Sequence, residues 1–265
     1  MEENIQPEEK TDEKKFINLR KFNIFMMFLH LIQGVLMVVL SSDFKLPITT
    51  SFIQFDTATQ KLAPSLETAW ELPLGPIIAT FLFMSALAHL MVSLPRIYKW
   101  YVKNLKKGAN YARWIEYSFS SSLMIVAISM LVGIYDGVSL LLIFFLNAMM
   151  ILFGWIMELH NQSTEKTNWT SYIFGCIAGF VPWVAIAIYL IGSGGENGEV
   201  PTFVYWIFFT LFIFFNIFAI NMILQYKKVG KWRSYTYGEW MYIILSLVAK
   251  SLLAWQVWAG TLRPV

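Results

Sequence analysis

Seven long apolar runs constrain this chain more than any other feature. They cover roughly residues 22–40, 73–94, 109–135, 138–157, 169–191, 202–226 and 238–262. A helix needs about 20 apolar residues to cross the hydrocarbon core of a bilayer. In lipid every backbone polar group must find its partner within the protein, and unbroken runs of this length do so as helices. The third and fourth runs are parted only by Tyr135-Asp136-Gly137, an Asp-Gly turn signal. The prediction is an all-α membrane protein, a seven-transmembrane-helix bundle of residues 22–265 preceded by a polar tail, residues 1–21, disordered to about Lys15. Charged residues make up 14% of the chain and hydrophobic ones 57%, against about 25% charged in a soluble domain. That balance excludes a soluble enzyme, a disordered chain and a disulfide scaffold. The single cysteine, Cys176, lies in an apolar run and has no partner for an intrachain bridge. A net charge of +3, scattered along the chain, leaves no nucleic-acid partner.

Lysine and arginine set the orientation of such a bundle. The tail carries Lys10, Lys14, Lys15, Arg20 and Lys21, and the second connection Arg96, Lys99, Lys103, Lys106, Lys107 and Arg113. Lys166, Lys227, Lys228, Lys231 and Arg233 fall on the same side, which makes sixteen of the twenty bases. Lys45, Lys61 and Arg263 fall on the other. The bias predicts a cell-membrane protein with its N-terminus cytoplasmic and its C-terminus extracellular. The only long connection, residues 41–72, contains ITTSFIQFDTATQKLAPS, where β-branched and aromatic residues flank a polar turn. It predicts a short β-hairpin that rests on the helix ends or on a partner subunit. The glycine-rich segment at residues 192–198 is expected to be a flexible outer turn.

One base remains, Lys250, near the midpoint of the last run. A lone ammonium at that depth costs roughly 2.5–3.5 kcal/mol on insertion scales. The interface is about 15 Å away, too far for the side chain to snorkel. The amine is therefore neutral, paired with an acid, or covalently used. Glu116 is the only acid well inside the third run, and Ser246 precedes Lys250 by one turn. The serine-rich stretch after Glu116 serves either polar chemistry or close helix packing. His30 and His89 lie in consecutive spans, both in the inner half, and imidazole titrates near neutrality. Without acids or cysteines at the usual spacing they make no zinc site. Glu158 and Glu239 sit at span ends, where simple solvation is the expectation. Mid-span aromatics Trp183, Trp206, Phe209, Phe212, Phe214, Phe215 and Trp255 either pack the bundle or wall a flat apolar ligand near Lys250.

The stretches Ser246-Leu-Val-Ala-Lys250-Ser251-Leu-Leu-Ala-Trp255-Gln-Val-Trp258 and Arg113-Trp-Ile-Glu116-Tyr117, with His30, His89 and Glu158-Leu-His160-Asn161, resemble the heliorhodopsins from about residue 15 to the end. That family is made of seven-helix, retinal-binding microbial rhodopsins of inverted topology. The resemblance implies that Lys250 holds all-trans retinal as a protonated Schiff base with Glu116 as counterion. It places Ser121, Ser85 and Ser246 near that nitrogen; the aromatic candidates for the ligand pocket are Trp183, Trp255 and Tyr117. It assigns His30 and His89 to an inner cavity that accepts the proton. It implies a homodimer helped by the outer hairpin, and a slow photocycle without pumping that serves an unknown downstream signalling partner. Pumping is disfavoured by the residues too. Ser246 stands where pumps carry an acid, and residues 123–131 carry no second carboxyl. Two alternatives stay open: a light-gated passive proton or ion path, and a non-photochemical transporter built on a Glu116–Lys250 pair. No enzyme motif is present.

Overall fold

The computed structural model describes residues 7–193 and 200–264. The glycine-rich outer turn predicted at residues 192–198 lies mostly outside them. Among these residues seven helices are long and apolar enough to cross a membrane. They are α1 (Pro7–Leu40), α2 (Leu74–Ser93), α4 (Tyr111–Leu131), α5 (Gly137–His160), α6 (Thr170–Gly192), α7 (Thr202–Tyr226) and α8 (Tyr235–Val257). An eighth helix, α3 (Pro95–Leu105), lies between α2 and α4. α1 starts at Pro7, so residues 7–21 are helical where a tail disordered to about Lys15 was expected. Charge alone does not stop a helix: Phe16 and Leu19 of this stretch are buried against Val92, Tyr101 and Leu105, and that packing holds the polar turns in place.

α3 lies where the sequence predicts only a connection between spans. Its 11 residues are too few to span, and hydropathy alone does not reveal them. Leu94 is extended, ψ 140, as a residue before proline prefers, and Pro95 then opens a new helix. Tyr101 and Leu105 turn inward, whereas Arg96, Lys99 and Lys103 stay exposed. Arg20 ties the two together. It donates to the Ser93 carbonyl at 2.9 Å, and its guanidinium sits 4.7 Å over the Tyr98 ring.

The connection after α1 is the predicted hairpin, β1 (Lys45–Asp56) paired antiparallel with β2 (Lys61–Pro73). Asp56 organises its turn by accepting from Ala58 N at 2.8 Å and Thr59 Oγ1 at 2.7 Å. These bonds, the Thr59 hydroxyl first, hold the Asp56 carboxyl below its usual range. The base of the hairpin rests on helix ends: Leu46 is buried and Thr49 N donates to the Tyr135 carbonyl at 2.8 Å. The distal half stands free, with Phe52, Phe55, Leu62 and Leu66 exposed, and Trp70 nearer the base is exposed as well. The break between the third and fourth spans is present, but it comes earlier than the Asp-Gly pair: α4 ends at Leu131 and the chain turns at Val132 and Gly133, where Gly133 takes φ 97, while Asp136 instead caps α5 by accepting from Ser139 N at 2.7 Å.

The interior is divided along the bundle. At the hairpin end Leu74, Ile78, Phe81, Leu82, Ile125, Ile128, Ile186, Ile207 and Leu253 form an apolar core. At the opposite end, which carries the basic connections, the interior is polar: Asn23, His30, Asn110, Arg113, Glu158 and Glu239 are all buried there. Lys250 lies at the boundary between the two halves.

The buried lysine site and its polar antechamber

Lys250 is 2% exposed. Its amine donates to Glu116 Oε1 at 2.7 Å, Ser85 Oγ at 2.5 Å and Ser246 Oγ at 3.1 Å. An ammonium has three protons, and here each has an acceptor. Ser85 also donates to Glu116 Oε1 at 2.7 Å, so α2, α4 and α8 meet at one buried ion pair. The Tyr117 ring stands 5.3 Å from Nζ, adding a cation–π contact. Of the three sequence-level readings of Lys250, the pairing with Glu116 is the one that the geometry displays.

On one side of Nζ lies a cavity of about 620 Å³. Trp114, Tyr117, Met124, Trp183, Phe212 and Phe215 are among its walls, and Ser121, Ser246 and Lys250 border it. Pockets of this volume, mostly apolar with a few placed polar groups, hold small organic ligands. Trp183 makes edge-on contacts with Phe212 and Phe215, each at 5.3 Å between centroids. Ile177, Phe180 and Asn216 line the cavity yet are exposed on the bundle's outer surface, so it opens sideways between α6 and α7.

The other residues read from the sequence divide. Ser246 and Ser85 reach the amine. Ser121 does not: it donates to the Tyr117 carbonyl at 2.7 Å and accepts from Asn147 Nδ2 at 2.8 Å. In this it follows Ser118 and Ser122, which also bond back to their own helix. Trp255 is not among the cavity residues. Its indole donates to Gln33 Oε1 at 3.1 Å, and its ring meets Trp258. It lies just over one turn beyond Lys250 on α8, where the helix face has rotated toward α1. Trp206 and Phe209 are exposed on the outer surface.

His30 and His89 are brought together, stacked at 5.6 Å between centroids with 15° between planes. His89 Nδ1 pairs with Asn23 Oδ1 at 2.7 Å, while Asn23 Nδ2 donates to the Leu19 carbonyl at 2.8 Å. An acceptor oxygen there assigns the proton to Nδ1 and leaves Nε2 with a free lone pair. Among the described residues, both ring nitrogens of the fully buried His30 are without a partner.

The expectation of solvated Glu158 and Glu239 is overturned. Both are 1% exposed, and Arg113 lies between them. Arg113 Nη2 donates to Glu158 Oε1 at 2.5 Å, and Nη1 donates to Glu239 Oε1. The Tyr242 ring covers the guanidinium at 3.9 Å. Burying three charges is tolerated because each is paired and hydrogen-bonded. From the sequence Arg113 looked like a base at a loop edge. The available signal was three charges of mixed sign at one depth in three spans, amid Trp and Tyr. Between this cluster and Glu116 lies a second cavity of about 40 Å³, bordered by Asn23, Ser85, His89, Arg113, Glu116 and Glu239.

Comparison with known proteins matches this arrangement to a family. The model of the heliorhodopsin family matches residues 19–262. No curated protein matches the sequence. Among solved structures the chain is similar to a light-driven proton pump, LR (Mac), from Leptosphaeria maculans. Identity is 15% and the TM-score 0.62, over 91% of this chain and 94% of that one. It is also similar to the transmembrane domain of the Salpingoeca rosetta rhodopsin phosphodiesterase, at 11% identity and a TM-score of 0.64, over 97% and 89% of the two chains. At these identities the structural likeness speaks for the rhodopsin fold.

Proposed function

Since the chain belongs to the heliorhodopsin family, we propose that it is a retinal photoreceptor that moves one proton inward from Lys250 Nζ and signals slowly rather than pumping. The observation that carries this is the buried Lys250–Glu116 pair at the wall of a 620 Å³ apolar cavity. The aromatic walls suit a flat polyene, and the amine at the wall suits an aldehyde. Lys250 Nζ would hold all-trans retinal covalently, and the bound group would supply a cationic linkage there and a light-driven change of double-bond geometry.

The chain's own residues do the rest. Lys250 fixes the ligand and carries the positive charge at Nζ. Glu116 balances that charge, with Ser85 and Ser246 orienting both partners. Trp183, Tyr117, Phe212 and Phe215 wall the pocket and keep water from it. When Nζ turns away from Glu116 the anion no longer holds the proton there, and the proton leaves toward the small polar cavity, onto which His89 opens with His30 behind it. Ile78, Phe81, Ile125 and Leu253 of the apolar core give no titratable step toward the hairpin end, so the proton has a route on one side only. One local charge change at a bundle with two arrangements makes a switch.

The basic end is read as cytoplasmic, from the sixteen bases on that side. The exposed Phe52, Phe55, Leu62, Leu66 and Trp70 of the hairpin support a homodimer that covers them. An unidentified cytoplasmic partner receives the signal.

Purified protein given all-trans retinal is expected to show a visible band that bleaches with hydroxylamine and light. Illuminated vesicles are expected to show no net proton transport; sustained acidification or alkalinisation would refute the sensor reading. Glu116→Gln removes the anion that stabilises charge at Nζ in the dark, so the band is expected to move to longer wavelength. An unmoved band would place the counterion elsewhere. Replacing His30 and His89 together by Phe is expected to change the rise or decay of the deprotonated state by several-fold in flash photolysis. Unaltered kinetics would remove both from the proton path.

A further inference from the structure

The Arg113 cluster holds one guanidinium against two carboxylates, a formal charge of −1 at a buried site. The two acids differ in how fully they are used. Glu158 Oε1 accepts from Arg113 Nη2 at 2.5 Å and Tyr235 OH at 3.0 Å. Glu158 Oε2 accepts from Trp114 Nε1 at 2.5 Å and Asn110 N at 3.0 Å. A carboxylate offers about four acceptor sites, so Glu158 is saturated as an anion. Glu239 has two donors, Arg113 Nη1 and Asn110 Nδ2, the latter at 2.6 Å, and keeps sites free. Glu239 also borders the small cavity together with Glu116, Ser85 and His89, whereas Glu158 does not. A separate observation places an unmet polar group at that cavity. Arg113 Nε, in a side chain 4% exposed, has no partner, and Arg113 is part of the cavity wall. A water needs roughly 10–15 Å³ of such space, and 40 Å³ admits two or three.

We propose that Glu239 is the residue on which the proton released from Lys250 Nζ comes to rest, a closed proton store at the cytoplasmic end of the polar cavity. The inference rests on the photoreceptor reading and extends it. The N–H bond at Nζ breaks and its electron pair stays on nitrogen. The proton passes Ser85 and the waters of the cavity, and an O–H bond forms on Glu239. The cluster then goes from −1 to neutral, which ends the repulsion between two carboxylates sharing one guanidinium. A proton on His89 would leave that repulsion in place. The charged and titratable groups around Glu239 are Arg113, Glu116 and Tyr117 from α4, Glu158 from α5, His89 from α2, Tyr101 from α3, Tyr226 from α7, and Tyr235 and Tyr242 from α8. Arg113, paired to both acids, anchors the proton's resting place, and the stored proton returns to Nζ without reaching the bulk.

Infrared difference spectroscopy on the full chain tests this. With retinal bound, light is expected to raise a carboxylic C=O band that shifts in heavy water. The band should vanish in Glu239→Gln, change frequency in Glu239→Asp, and persist when His30 and His89 are replaced. A band unaltered in Glu239→Gln and Glu239→Asp overturns the proposal, as does a pH-dye signal from wild-type protein equal to one proton per bleached molecule. The retinal-free protein gives an independent reading. On acidification a slowly exchanging C=O band is expected in wild type and absent in Glu239→Gln; identical titrations overturn the proposal. Should no visible band form with retinal, the photoreceptor reading falls, and the retinal-free titration still decides whether Glu239 binds the proton.

Discussion

Lys250→Ala, folded and supplied with all-trans retinal, is expected to show no visible absorption band. The next lysines in the chain, Lys231 and Lys228, lie beyond the start of α8, and no other amine borders the 620 Å³ cavity. Without an amine at that wall no covalent linkage forms, and retinal free in an apolar pocket absorbs in the near ultraviolet. The substitution also leaves Glu116 buried without its cation. Removing one member of a buried pair costs about 3–5 kcal/mol, so Glu116→Gln in the same chain is expected to restore part of the stability and none of the colour. Circular dichroism confirms that the helices are present, and absorption after retinal addition reads the result. A visible band retained by Lys250→Ala would end the Schiff-base assignment.

Arg113→Ala is expected to be the most destabilising single change away from the lysine site. It leaves Glu158 and Glu239, each 1% exposed, facing one another with no cation. It also removes the guanidinium from the Tyr242 and Trp114 rings, which it covers at 3.9 and 4.3 Å. Loss of the buried partner alone is worth about 3–5 kcal/mol. Arg113→Lys keeps the charge but not the fork that reaches two carboxylates at once, so it is expected to fall between wild type and alanine. Adding Glu158→Gln and Glu239→Gln to Arg113→Ala removes the stranded charges, and the triple variant is expected to be more stable than Arg113→Ala. Thermal unfolding in detergent measures all four proteins. An Arg113→Ala midpoint within error of wild type would mean that the cluster contributes nothing to holding α4, α5 and α8 together.

The Lys250–Glu116 pair was legible because each residue is the one charge well inside its span, away from the ends: an isolated charge at that depth must be explained, and only one acid was available to explain it. Ser246 followed from helical spacing on the same element. His30 and His89 were legible as a possible pair from depth, though not their stacking or the hold that Asn23 has on His89. The Arg113 cluster was not legible, because a charge at a span end reads as solvated. Only the packing of α4, α5 and α8 shows that this end is closed. Trp183 and Trp255 looked alike in sequence, yet one walls the cavity and the other bonds Gln33.

What the sequence by itself determined about this protein is a matter of depth. Seven runs of apolar residues set the number of spans, and each charge's place along its run sets how far it lies from water, since both follow from local chain length and the cost of burying polar groups in hydrocarbon. The hairpin followed in the same way, from a local pattern flanking a turn. Only the tertiary structure decided azimuth, the direction each residue faces around its helix. A straight helix presents all its sides equally until a neighbour packs on one of them. That packing put Ser85 against Lys250, turned Ser121 back to its own backbone, folded α3 against α1, and closed Arg113 between two acids from different helices.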